Sequence, residues 1–339
     1  MRILIIGGSV FLGRAFVEEA VACGHSVTVF NRGKSGPDVP GTESVRGDRE
    51  NPADLKALTD RGPWDAVIDA GGQHPRTVGL SARTLSGHAD AYLFVSSFHA
   101  YAPWPAGPVD EDSERHACPP DAAVGEVPSN ALKAGCERAL EAGFEGRTVI
   151  LNPGLIVGPR EVPGRLLWWL ERMARGGEVL VPGGPDRPVQ LIDARDIAAF
   201  GTRLLEAGGA GRFIVAGQRG TATLGELFRA IARATGARAE LAWADDDFLL
   251  EQEVGPWVEL PFWAPDQPAM AGVWSASTDR AVALGLNCRP MAETVADTWE
   301  WLHERGPIDT PYKQGDLPLG IDAEKEAAVL RARHARTAT

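Results

Sequence analysis

Along the first half of the chain, apolar runs closed by glycine alternate with stretches whose apolar residues recur at helical spacing. The run "RILIIG" (2–7) is apolar almost throughout and rich in β-branched residues, the pattern of a strand covered on both faces. It leads into "FLGRAFVEEAVACG" (11–24), where Leu12, Ala15, Phe16 and Ala20 share a helical face and Gly24 stops the helix. "HSVTVF" (25–30), "DAVIDAGG" (65–72), "AYLFVSS" (91–97) and "TVILNPG" (148–154) predict further strands. A helix is predicted over 76–87 and another in "GEVPSNALKAGCERALEAG" (125–143). This alternation predicts an α/β fold, a Rossmann-like doubly wound parallel sheet, in which ligands bind beyond the carboxyl ends of the strands.

After residue 160 the pattern loosens. Helices are predicted at 163–175, 195–207, 223–235, 291–304 and 322–335, and short strands at 179–183, 189–193, 213–217 and 239–244. The Pro- and Trp-rich stretch 255–275 reads as ordered loop, and "ADDDF" (244–248) as a helix N-terminus with favourable charge. The expected division is a nucleotide-binding domain over 1–160, with 188–220 returning to its sheet. A smaller C-terminal substrate-binding lobe takes 161–187 and 221–320, and a helix with a frayed tail takes 321–339.

Composition narrows the function. The 339 residues are 44% hydrophobic, enough for a sizeable core. Acidic residues outnumber basic ones 46 to 34, and the net charge of −12 repels phosphate backbones, so nucleic acid is not an expected partner. Four cysteines without a Cys-x-x-Cys pair read as reduced thiols, and no His/Cys/Asp spacing supports a metal. The apolar N-terminal run is too short for a secretory signal, and no apolar stretch approaches the roughly 18 residues of a membrane span. The expectation is a cytoplasmic protein with a small-molecule substrate and no membrane partner, its oligomeric state open between monomer and homodimer.

Candidate chemistry begins in "IIGGSVFLGR" (5–14), where the first strand turns into the first helix. Glycines there permit a tight turn, and the helix N-terminus offers free N–H groups to a pyrophosphate. Gly7 and Gly13 take the outer places of a three-glycine nucleotide fingerprint, while Val10 takes the middle one. Gly8, Ser9, Phe11 and Leu12 complete the candidate cofactor-binding turn. An acid after the second strand would accept hydrogen bonds from the ribose diol of NAD. This chain has Asn31, Arg32 and Lys34 instead, and a guanidinium suits a 2′-phosphate. NADP(H) is therefore favoured, with NAD(H) as the alternative. Asp48 in "RGDRE" (46–50), after a further short strand, either contacts the adenine edge or serves as a turn residue. Ala70 and Gly71 after one strand, and Asn152 and Pro153 at the end of another, join the cofactor-binding set.

Taken together, "GGSVFLGR", "VFNRG", "VSSFHAY", the helix carrying Lys133, "LNPGLIVGP" and "VQLIDARDIA" resemble the extended and atypical short-chain dehydrogenase/reductases, often described as NAD-dependent epimerase/dehydratases. The resemblance spans about residues 1–305, and its atypical branch also lacks the middle glycine. It implies that Ser97 holds a substrate oxygen, that Lys133 binds the nicotinamide ribose, and that hydride passes to or from the nicotinamide ring. It also implies a tyrosine, as proton donor or acceptor, at the position where this chain has Ser129.

Residues 129 and 133 are four apart and so expected on one helix face. An aliphatic alcohol has too high a pKa to replace a phenol directly. Ser129 either holds a water in a proton relay or, following Pro128, caps the helix. Tyr101 and His99 are the other candidate proton donors, with His74 a further one; Tyr101 is also readable as a packing residue and His99 as facing the helix layer. Sugar-nucleotide enzymes of the family carry an arginine before the return strand; here Val189 stands there and Arg187 lies two residues upstream, which weakens a nucleotide-sugar reading. Trp168, Trp169, Trp243, Trp257, Trp263 and Trp274 either line an aromatic substrate pocket or pack a core. The leading expectation is an NADP(H)-dependent oxidoreductase acting on a small carbonyl or alcohol, such as a secondary-metabolite intermediate. The alternatives are an epimerase or dehydratase using the nicotinamide transiently, and a catalytically silent nucleotide-binding regulator.

Overall fold

The computed structural model describes residues 1–305, 312–314 and 316–337; the end of the predicted tail and part of the predicted lobe, 306–311, lie outside the described residues. From the N-terminus, β1 (Arg2–Ile6) leads through α1 (Phe11–Ala22) to β2 (Ser26–Asn31) and β3 (Glu43–Arg46). Next come α2 (Pro52–Thr59), β4 (Trp64–Asp69), α3 (Pro75–Leu85), β5 (Ala89–Val95), α4 (Leu132–Gly143) and β6 (Arg147–Pro153). The second half holds β7 (Leu155–Val157), α5 (Arg165–Ala174), β8 (Gly177–Pro182), β9 (Leu191–Asp193), α6 (Ala194–Glu206) and β10 (Gly211–Val215). It continues with α7 (Leu224–Thr235), β11 (Ala239–Ala244), α8 (Asp246–Glu251), α9 (Asp279–Ala283) and α10 (Met291–Arg305). Two short strands, β12 (Lys313–Gln314) and β13 (Leu317–Pro318), precede α11 (Ala323–Thr337).

Seven strands form one parallel sheet in the order β10-β6-β5-β4-β1-β2-β3. This is the doubly wound sheet that the alternation predicts. Within 188–220 it is β10 that returns to the sheet, while β9 pairs with β7 outside it. The all-apolar strands are explained by their two buried faces. In β1, Ile3 and Ile5 enter the core under α1 and α6 with Phe16 and Phe200. Leu4 and Ile6 point the other way, into the core with Leu55, Leu85 and Leu140. Strand order reverses between β1 and β4, so the chain leaves a crevice beyond their carboxyl ends.

The second-half elements form a lobe around β8 and β11, which pair in parallel. Of the six tryptophans weighed as a pocket lining, Trp168, Trp169, Trp263 and Trp274 are buried in its core, and Trp243 and Trp257 pack against it. The Trp169 indole N–H donates to the Pro261 carbonyl and that of Trp263 to Asp246, so both polar edges are spent on the fold. Core packing is their role. Asp245 caps α8 as its charge pattern implies, accepting from the Phe248 amide at 2.8 Å. Among the described residues, no helix is long and apolar enough to cross a membrane.

Three helices differ from expectation; the short α9 is not among those predicted. Sequence reading passes over α2, although Asn51 caps it and Pro52 stands in its first turn. The helix expected from 125 begins only at Leu132. Gly125 has φ +89°, Pro128 lies in extended backbone, and Ser129–Ala131 form a single 3-10 turn.

Candidate functional site

A cleft of about 290 Å³ lies at the carboxyl ends of β1 to β4. Gly7, Gly8, Ser9, Asn31, Arg32, Lys34, Asp48 and Gly71, all in the predicted cofactor set, line it. The glycines are there for physical reasons. Gly7 and Gly8 have φ of +103° and +93°, which side chains resist. A Cβ on Gly13 would lie 2.8 Å from the Gly8 nitrogen, so the first turn of α1 could not sit this close to the loop. No side chain caps α1, whose N-cap position is Val10. Asn31 shapes the second wall: its Oδ1 accepts from the Gly33 amide and from Arg46. Arg46 is itself neutralised by Asp38, whereas Arg32 and Lys34 have no ion pair among the described residues. These features fit a dinucleotide: a glycine cradle at an uncapped helix N-terminus for phosphates, the buried Asn31 Nδ2 without a partner, and two cations without ion pairs among the described residues at the ribose end.

Besides Gly13 and Lys133, five members of the predicted set stand outside the cleft wall. Phe11 starts α1 at φ +40°, Leu12 is buried in the core beneath it, and Ala70 packs against that core. Asn152 is fully buried behind the site, with its amide spent on Glu137 (2.6 Å) and the Ser97 carbonyl (3.2 Å). Pro153, next to it, is buried as well.

Lys133 reaches the ends of β4 and β5. Its ammonium donates to the Gly72 carbonyl at 2.7 Å and to the Val95 carbonyl at 3.1 Å, and lies over the Phe94 ring. Burial lowers its pKa. Ser97 follows β5, and its Oγ accepts from the His99 amide at 3.2 Å, capping a 3-10 turn over Phe98–Ala100. That turn carries His99, an exposed residue whose ring lies 4.8 Å from that of Trp104. Desolvation against its neighbours, helped by the charges of Lys133, His116 and Arg165, lowers the His99 pKa and favours the neutral imidazole.

The other proton-donor candidates lie elsewhere. Tyr101 is fully buried with Phe98, Val109 and Ile214, and its hydroxyl meets Asn152 Oδ1 at 3.4 Å. Burial raises its pKa. Ser129 is exposed, caps neither the 3-10 turn nor α4, and shares no continuous α-helix with Lys133. Its N-cap reading is thereby corrected: Pro128 and the 3-10 turn put the helix start three residues later. His74 lines the nucleotide cleft, with Nδ1 buried and unpartnered.

Residues 3–85, which build the cleft from β1 to the end of α3, match the sequence model of the NAD dependent epimerase/dehydratase family. The match covers this segment alone. A curated relative, the chloroplast stem-loop binding protein of 41 kDa b from Arabidopsis thaliana, is 27% identical over 251 residues, 69% of this chain. The chain spans 63% of the length of that relative. Among solved structures, the Bordetella bronchiseptica enzyme WbmH in complex with NAD+ is 18% identical with a TM-score of 0.68, covering 90% of this chain and 99% of its own. UDP-glucose 4-epimerase from Thermotoga maritima, with UDP-glucose, gives 18% identity, a TM-score of 0.65 and the same coverage. These likenesses establish a shared fold.

Within the matched segment, one pair escaped the sequence reading. Arg49 lines the cleft and is held by Asp69, which is fully buried at the end of β4 and also accepts from the Tyr92 hydroxyl at 3.0 Å. A carboxylate closing the apolar run "AVID" was the available signal, because a charge there must have a partner. Glu137 is the second omission. One turn after Lys133 on α4, fully buried, it accepts from Ser96, Asn152, Arg115 and Arg212, and so ties α4 to the sheet.

Proposed function

We propose that the chain is an NADP(H)-dependent oxidoreductase of the epimerase/dehydratase family acting on a small carbonyl or alcohol, with His99 as the acid–base group. The observation that supports this most is the grouping of Ser97 and His99 after β5 with Lys133 of α4, where the nearby Tyr101 is fully buried and the His99 imidazole is exposed. A nicotinamide bound in the cleft supplies or accepts the hydride. Lys133 spends two of its three N–H donors on backbone carbonyls, which fixes it and leaves the third for a ribose hydroxyl. Ser97 holds the substrate oxygen. His99 takes the alcohol proton in the oxidising direction. In the reducing direction its lowered pKa makes the imidazolium a stronger acid, which returns the proton to the alkoxide. Arg32 and Lys34 support a 2′-phosphate and hence NADP(H) over NAD(H).

We take small molecules as the partners. The relative's name speaks of stem-loop binding, but a net charge of −12 disfavours a nucleic acid here. The test is transfer of deuterium from C4-labelled NADPH to a panel of small ketones, read by mass spectrometry of the product. Deuterium in the alcohol supports the reductase. Turnover of a substrate with the nicotinamide returned unchanged identifies the epimerase or dehydratase alternative, and NADPH binding without turnover identifies a regulator.

A further inference from the structure

Arg165 opens α5 after Gly164, whose φ of +77° turns the chain into the helix. Its side chain is only 16% exposed. Among the described residues no hydrogen bond reaches its guanidinium, and Nε is buried without a partner. The carboxylate beside it, Glu161, stands 3.7 Å away, with Oε1 taken by the Arg165 amide and Oε2 by the Leu166 amide. Burial pushes the Glu161 carboxyl up to about 7 against the pull of Arg165 and these amides. Other shielded arginines of the same lobe are fully engaged: Arg172 with Glu326, and Arg187 with Asp246. A guanidinium has five donors, and to bury them without hydrogen bonds is expensive. The charge of Arg165 also reaches His99, so it stands on the side of the cleft where the proposed acid–base group lies.

We propose that Arg165 is the receptor for an anionic oxygen group of the substrate, a carboxylate or a phosphate, which it grips through its free N–H fork and so orients toward His99. This rests on the reading of the His99 side as the substrate side. It also means that Arg187, bound to Asp246, is not the anion-binding arginine of the lobe.

The test is calorimetric titration of wild type, Arg165→Met and Arg165→Lys with inorganic phosphate, pyrophosphate and succinate, each with and without saturating NADP+. At least one anion should bind the wild type, with Kd rising about tenfold or more in Arg165→Met and partly restored in Arg165→Lys. Affinity for NADP+ should be unchanged, and the thermal midpoint of ligand-free Arg165→Met should stay near that of wild type, because the guanidinium makes no hydrogen bond and meets Glu161 only at 3.7 Å. Equal anion affinity in wild type and Arg165→Met, or no binding of any of the three, overturns the proposal. So does a midpoint several degrees lower that Arg165→Lys restores, which marks a structural role. A parallel loss of NADP+ affinity assigns Arg165 to the cofactor's pyrophosphate instead. Because anion binding is read without cofactor or turnover, failure of hydride transfer with anion binding intact overturns only the activity proposed above.

Discussion

Arg49 and Asp69 are joined beneath the nucleotide cleft by two parallel hydrogen bonds of 2.7 and 2.6 Å. Burial alone would raise the Asp69 carboxyl. The charge of Arg49, with hydrogen bonds from Arg49, Tyr92 and the Gly71 amide, outweighs it and holds the group below its usual range. A lowered folded-state pKa means that the pair contributes stability above the unfolded value of about 3.9, and that this is lost as pH falls through the folded value. Asp69→Ala leaves the guanidinium buried without a counter-charge and should cost about 3–5 kcal/mol in urea unfolding at pH 7. It should also flatten the acid limb of the stability profile.

The exposed His99 and the buried Tyr101 make opposite predictions. His99→Gln should lower kcat by about 10²–10⁴-fold. In the oxidising direction the wild-type rate should rise through a pKa below the ordinary imidazole value of about 6.5 and then stay flat, and this limb should vanish in the variant. A pH profile of kcat/KM for both proteins checks it.

Tyr101→Phe removes only a 3.4 Å contact to Asn152, and Ser129→Ala removes an exposed hydroxyl. Both should keep kcat within about threefold of wild type, with at most about 0.5–1.5 kcal/mol lost in Tyr101→Phe. A large fall in kcat for either variant would return the proton transfer to that residue.

Arg32 is a cleft-lining cation without an ion pair among the described residues. Arg32→Ala should weaken NADPH by about 10–100-fold, the worth of a charge-assisted hydrogen bond, and leave NADH nearly unchanged. Tryptophan fluorescence titration of both nucleotides measures it.

Gly13 is tested sterically. The added methyl of Gly13→Ala would sit 2.8 Å from the Gly8 nitrogen. Overpacking of this kind costs about 1–3 kcal/mol, and pushing α1 off the loop should also raise the Kd for either nucleotide. Gly24→Ala, whose methyl meets nothing within 4 Å but whose φ is +77°, should lose stability without loss of nucleotide affinity.

Local physics made much of this protein legible in its sequence. The runs of β1, β2, β4, β5 and β6 are apolar because both faces of the sheet are covered, and period and length suffice to read them. The glycine turn at 7–13 is likewise local: positive φ and close approach demand glycine wherever the chain folds. From these the sequence by itself determined the sheet, the crevice and the glycine turn that lines it. Tertiary structure decided the rest, because burial and partners depend on residues distant in the chain. Tyr101 and His99 are two residues apart, yet packing with Val109 and Ile214 removes one from solvent while the other faces it. The tryptophans became core only when α5, α7 and the 255–275 loop closed around them. The chemistry of Asp69 was set by Arg49, twenty residues away in the chain, and that of Arg165 by a guanidinium left without a hydrogen bond, 3.7 Å from Glu161. A residue type fixes which bonds a side chain can make; only the fold supplies the partners and the dielectric that determine which of them it does make.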